Sequence, residues 1–259
     1  MIGGVASQQS ASDPSPRGRQ TQTSELISHC GHALRTPLNS ILGFAQILAL
    51  DPKQPLSSVQ KERVEQIQTA AWQLLQMIDD AVELALLVAG RLNVSMEPVA
   101  LEPLLRDGLA WLDERAAPDR VRVETGPALS ATVWADPARL KQIITNLFRG
   151  VLQCARRGDA VRIGVRPHTD GGATLWMRGD AQARLVEQLE SMFLPFDEPV
   201  PEDEHCRSVQ IGLALAQKLV ELMGGRLQVH RDPVSGSELR LLLRGPAAHG
   251  AAAQSTCAA

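Results

Sequence analysis

The chain has 259 residues, a formal net charge of −3, 44% hydrophobic residues and 21% charged ones. That balance is globular, leaves room for one large domain or two ordinary ones, and gives no general electrostatic reason to bind nucleic acid. Aromatic residues make up 3% with no tyrosine, so the core must be built from Leu, Ala, Val and Ile. The four cysteines (Cys30, Cys154, Cys206, Cys257) are scattered without a C-x-x-C pair or a metal-ligand spacing. No metal site is expected, and the thiols read as reduced. No apolar run reaches the roughly 18 residues that span a bilayer, and the N-terminal stretch lacks a signal-peptide h-region. The expectation is a soluble cytoplasmic protein with no membrane or nucleic-acid partner.

Residues 1–23 are rich in Ser, Gln, Gly and Pro and read as a disordered lead-in, as do residues 246–259 at the other end. Neither stretch is long enough for a sensory or receiver domain, so an input signal is expected to arrive through another protein or through the short N-terminal segment. From Ser24 to Leu50, apolar or small residues recur at 27, 30, 34, 38, 41, 45 and 48, the spacing of a heptad seam. "DPKQPLSS" breaks it, and a second series follows at Ile67, Ala70, Leu74, Met77, Ala81, Leu84 and Val88. Two such helices form an antiparallel hairpin over 24–92. One hairpin cannot bury both stripes, which predicts a homodimer closed as a four-helix bundle.

After "AGRLNVSMEPV" the pattern changes, and residues 97–245 read as an α+β sandwich. Helices are expected at Leu101–Arg115, Pro137–Arg156, Leu185–Met192 and Gly212–Met223. Strands are expected at "RVRVET", "SATVWAD", "AVRIGVRP", "ATLWMR", "GGRLQVHRD" and "SELRLLLR". Trp72, Trp111, Trp134 and Trp176 read as core or interface packing. Cys30 reads as a small core residue. Arg139 and Lys141 read as helix-surface residues.

His32 lies two residues before the seam position Leu34, about 200° around the helix, so its imidazole faces solvent. Pro37 has no N–H, and its ring clashes with the carbonyl of Ala33, which bends a helix within one turn of His32. An exposed imidazole beside such a bend is a candidate nucleophile. His29, one turn earlier, shares roughly the same face.

"HALRTPLNSILGFAQIL" closely resembles the phosphoacceptor box of sensor histidine kinases, in which a dimeric helical hairpin precedes an ATP-binding α/β domain. Further matches follow in order. "DPARLKQIITNL" resembles the start of the asparagine box, "FLPF" the phenylalanine box, and "IGLALAQKLVELMGGRLQV" the end of the second glycine box. The resemblance covers about Ser24 to Arg244. It implies that His32 carries the phosphoryl group, with Arg35 and Pro37 as acceptor context. It also implies that Thr36 helps to orient the water that hydrolyses a partner's phosphoaspartate. Response-regulator receiver domains are the implied partners, with another histidine kinase as a further one, and ATP and Mg²⁺ are the implied cofactors.

The nucleotide motifs depart from the family pattern. Asn146 is kept, but the magnesium-holding asparagine becomes Gly150 and the following lysine Gln153. The first glycine box aligns with "GDAQAR", which puts Gly179 at the aspartate and Ala181 and Ala183 at the glycines; shifted by one residue it keeps Asp180 as an adenine reader but puts Gln182 and Arg184 at the glycines. In the second, Gln210 replaces the first glycine and Gly212 remains. Asp197, Glu198, Glu202, Asp203 and Glu204 add negative charge before it. Ala33 replaces the acidic residue that follows the histidine in the family and assists transfer from ATP. Asn146, Asp180 and Gly212 are thus the remnant of an ATP site, and no bound cofactor is expected. Three readings follow: a relay protein using His32 with receivers after losing ATP-dependent autophosphorylation; a non-enzymatic pseudokinase that binds and modulates a kinase or regulator; and an active kinase with a divergent ATP site.

Overall fold

The computed structural model describes residues 16–116, 121–126, 129–155, 157–179, 204–232 and 236–246. Helix α1 (Pro16–Leu50) runs unbroken through Pro37. It starts upstream of Ser24, so residues 16–23, expected within the disordered lead-in, are helical. Pro16 suits a first turn, where its missing N–H costs nothing, and Arg17, Arg19, Gln20 and Gln22 are good helix formers. Residues 51–57 turn the chain, and Ser57 caps helix α2 (Ser58–Val88). Ser57 Oγ accepts from the Gln60 N–H at 3.3 Å, while the Gln60 side chain accepts from the Ser57 N–H at 3.0 Å. Gly90 ends α2 at φ +69°, a left-handed conformation that lets its N–H reach the Leu87 carbonyl and that of Arg91 the Leu86 carbonyl.

The helices are antiparallel: Gly31 meets Val82, Arg35 meets Asp79, and Leu38 and Leu42 pack with Ala71. Each helix carries two adjacent apolar stripes rather than the single seam expected from the sequence. Gly31, Leu38, Leu42 and Ala45 of α1 face Val64, Ala71 and Val82 of α2 and are buried. Leu34, Ile41, Phe44 and Leu48, with Ile67 and Leu74 of α2, remain exposed. Cys30, expected in the core, is also exposed because it lies on this outer side.

Strand β1 (Glu97–Ala100) pairs antiparallel with β3 (Thr132–Ala135), and α3 (Leu101–Ala116) and β2 (Arg122–Thr125) lie between them in sequence. β1 was not anticipated: only Val99 of its four residues is buried, so no alternation betrays it. Next come α4 (Pro137–Cys154), β4 (Ala160–Pro167), β5 (Ala173–Gly179), α5 (Glu204–Leu222), β6 (Arg226–Asp232) and β7 (Gly236–Leu243). The main sheet has the order β2-β4-β5-β7-β6, with β2 and β4 parallel and the other neighbours antiparallel. The buried apolar residues of α3, α4 and α5 join those of the strands in one core, which includes Leu105, Ile144, Phe148, Leu175, Leu215 and Leu241. The helix expected at Leu185–Met192 and the tail from 247 lie outside the described residues. None of the tryptophans joins the fully buried set; Trp72 is 54% exposed, and Trp176 lies on Gly164 with Arg166 and Arg178 over its ring.

Gly31 sets how closely the hairpin helices cross at His32. A Cβ there would stand 2.5 Å from Val82 Cγ2. Gly31→Leu should therefore destabilise the chain by roughly 1–3 kcal/mol. Adding Val82→Ala should recover part of the loss in thermal melts. Strictly additive effects of the two substitutions would contradict this packing.

Candidate functional site

His32 is exposed on α1, one residue beyond the close approach at Gly31. Thr36, one turn later, donates from Oγ1 to the His32 carbonyl at 3.4 Å. Arg35 donates from Nε to Asp79 Oδ1 at 2.7 Å, tying the acceptor turn to α2. Pro37 is exposed and directly follows Thr36. The sequence-predicted acceptor residues His32, Arg35, Thr36 and Pro37 therefore stand on one accessible turn and the next.

The α/β domain presents a different picture. Asp136 caps α4, accepting from the Ala138 and Arg139 N–H groups at 3.0 and 3.1 Å and from the Ser95 N–H at 2.8 Å, which pins the linker leaving the hairpin. Burial alone would raise the Asp136 pKa, but these backbone donors outweigh it and hold it below the usual range. The outer stripe of α4 then reads Arg139, Gln142, Asn146, Arg149 and Gln153 at steps of three and four. Asn146 is buried, donates from Nδ2 to the Gly212 carbonyl at 3.0 Å, and accepts from Arg149 at 3.3 Å. The sequence-predicted Asn146 and Gly212 are thus brought together, but as a tie between α4 and α5. Gln210 is buried and its Nε2 has no hydrogen-bond partner. Asp180 and "FLPF" lie outside the described residues.

Arg139, Gln142 and Arg149 of this stripe meet α2. Glu83 takes both Arg139 and Gln142 of α4, so Arg139 is an interdomain ion pair rather than a plain surface residue. Asp80 Oδ2 stands 3.6 Å from Arg149 Nη1, α2 lies along α5, and Leu84 and Leu87 pack against the α/β core. These α2 residues escaped sequence reading. The signal was present in "DDAVE", where three carboxylates interrupt the apolar C-terminal half of the helix.

A magnesium-bound nucleotide does not fit the α4 residues present. Gly150, on this stripe, offers no ligand atom, and the Asn146 amide is engaged by protein partners. Among the described residues no group of three or more His, Cys, Asp or Glu side chains could hold a metal ion. A cavity of about 650 Å³ remains between α2, α3 and α4, lined in part by Trp72, Asp80, Trp111, Arg149 and Gln153.

Asp80 is 1% exposed. Its Oδ1 accepts from Gln76 at 3.0 Å, and Oδ2 receives no hydrogen bond. Burial pushes its pKa up from 3.8 to about 6; Glu83 and Asp79 add to the rise, while Gln76 and Arg149 oppose it. A carboxyl raised in the folded state binds its proton more tightly there than in the unfolded chain. Stability therefore falls as the pH rises from about 3.8 to about 6, by on the order of 3 kcal/mol in all. The Asp80 contribution should make the chain melt at a higher temperature at pH 4.5 than at pH 6.5, and Asp80→Asn should flatten that slope. An equal slope in the variant would contradict the assignment.

Residues 22–90 match the His Kinase A (phospho-acceptor) domain, and residues 135–247 match the histidine kinase-, DNA gyrase B-, and HSP90-like ATPase domain. The chain is 31% identical over 235 residues to the sensor protein GacS of Pseudomonas syringae pv. syringae, covering 87% of this chain and 25% of GacS. It is 31% identical over 228 residues to the sensor protein TorS of Escherichia coli (strain K12), covering 85% of this chain and 24% of TorS. The chain thus spans about a quarter of the length of these relatives. Among solved structures, full-length ShkA in complex with AMPPNP shares the fold with a TM-score of 0.62 at 24% identity, over 86% of this chain and 46% of that one. The Acinetobacter baumannii histidine kinase AdeS does so with a TM-score of 0.53 at 18% identity, over 83% of this chain and 98% of that one. No helix among the described residues is long and apolar enough to cross a membrane. With a phosphoacceptor hairpin leading into a histidine-kinase-type ATPase fold, the chain belongs to the sensor histidine kinase family.

Proposed function

We propose that this chain is a homodimeric phosphorelay protein. His32 exchanges phosphoryl groups with response-regulator receiver domains, and ATP-dependent autophosphorylation has been lost. The observation that carries this reading is the contrast between the two halves. The acceptor turn is accessible, whereas the α4 stripe has Gly150 at the magnesium position and its Arg139, Gln142 and Arg149 are engaged with α2. The exposed stripe of Leu34, Ile41, Phe44 and Leu48 supports the dimer, since a second hairpin covers it as a four-helix bundle. The free thiols of Cys30 and Cys154 suit the cytoplasm.

In the transfer, a ring nitrogen of His32 attacks the phosphorus of a receiver's phosphoaspartate. The P–O bond to the aspartate breaks, its carboxylate leaves, and an N–P bond forms on the imidazole. The same steps in reverse load a second receiver. Nothing in this exchange calls on the ATPase-like domain, because the receiver brings its own cation and acidic residues. Thr36, beside His32, is the group for orienting water when the phosphoaspartate is hydrolysed instead.

Incubation with a labelled phosphoreceiver should move label to the chain, and His32→Ala should remove it. Tight complex formation without label would favour the pseudokinase reading. Label arriving on His32 from ATP would favour an active kinase.

A further inference from the structure

The acceptor turn holds an ion pair for which the exchange at His32 has no stated use. Arg35 follows His32 at i+3, so the two side chains are neighbours on the helix surface. Helical side chains lean toward the N-terminus, which tips Arg35 over the turn that carries His32. Asp79 engages Arg35 through Nε alone, at 2.7 Å. Among the described residues no other hydrogen bond or ion pair to Arg35 is present, which leaves both terminal nitrogens for another anion. Gly31, packed against Val82 and Ile78, fixes the height at which α2 delivers Asp79. Ala33 supplies no charge at this turn.

We propose that Asp79 is a positioning residue that aims the Arg35 guanidinium at the phosphoryl group on His32. The inference rests on His32 being the phosphoryl acceptor. A guanidinium held at Nε keeps its two terminal N–H pairs in a fork that matches two phosphoryl oxygens. Holding it in place before transfer lowers the ordering cost at the moment the charge arrives. The carboxylate acts through Arg35 and never touches the phosphorus.

The test uses phosphoramidate, a small donor that needs neither nucleotide nor receiver. Its P–N bond breaks, a His32 ring nitrogen forms the new N–P bond, and ammonia leaves after taking up a proton. The full chain, Asp79→Asn, Arg35→Ala, the double variant and Asp79→Glu are labelled alike. Phosphohistidine is followed by ³¹P NMR and peptide mass spectrometry, with His32→Ala subtracting label on other histidines. Asp79→Asn and Arg35→Ala should each lower the His32 labelling rate roughly tenfold, the double variant no further, and Asp79→Glu should recover part of the rate. Melting temperatures should stay close to that of the unsubstituted chain, because a half-exposed ion pair adds little stability.

Unchanged labelling in Asp79→Asn, losses that multiply in the double variant, or losses that track the melting temperature would each overturn the inference. So would an absence of His32 label in the unsubstituted chain. Label from phosphoramidate but none from a phosphoreceiver would instead reject the relay and leave the role of Asp79 standing.

Discussion

The arrangement of the molecule depends on one helix stripe. Arg139, Gln142, Asn146, Arg149 and Gln153 follow one another along one side of α4; Arg139, Gln142 and Arg149 reach the second helix of the hairpin, and Asn146 ties to α5. Glu83 and Asp80 come down on it from α2, Leu84 and Leu87 enter the α/β core beside them, and Asp136 ties the linker to the same helix. The cost sits in Asp80, whose carboxylate is buried with one oxygen unmatched. A buried acid opposite a half-buried arginine is weak as a stabiliser and useful as a constraint on geometry. The apolar contacts supply adhesion, and the charged pairs fix where along α4 the hairpin lands.

That placement separates the two halves of the family's chemistry. The hairpin needs little to accept a phosphoryl group: an exposed imidazole, a neighbouring hydroxyl and a cation held in place. Each is present at His32, Thr36 and Arg35. An ATP site needs a metal ligand and an open stripe on α4. Gly150 supplies no ligand atom, and Arg139, Gln142 and Arg149 of the stripe are engaged with α2. On the relay reading, the ATPase-like fold persists as a scaffold that steadies one face of the hairpin while the acceptor turn and the exposed apolar stripe remain available to partners.

Much of the fold was legible because its signals are local. Period-two alternation in "AVRIGVRP" and "ATLWMR" gave β4 and β5 nearly to the residue, and Asp136-Pro137 marked the start of α4. The heptad spacing gave both hairpin helices, but of its α1 positions Leu38 and Ala45 are buried while Leu34, Ile41 and Leu48 stay exposed. Two apolar faces lie side by side on each helix, and spacing alone cannot say which one meets the neighbour. β1 was missed because a four-residue strand with one buried side chain has no period to detect. His32 and its turn were readable because the motif is contiguous. Asp79, Asp80 and Glu83 were not, since their meaning comes from residues 44 to 69 positions away, brought close only by folding.

The most direct measurement of the central claim is the melting temperature of the full chain with and without saturating Mg-ATP. A ligand that binds the folded state must raise it. If the α4 stripe holds α2 in place of a nucleotide, the two melting curves should coincide. A rise of several degrees with Mg-ATP would show that the nucleotide still binds, and would contradict the account.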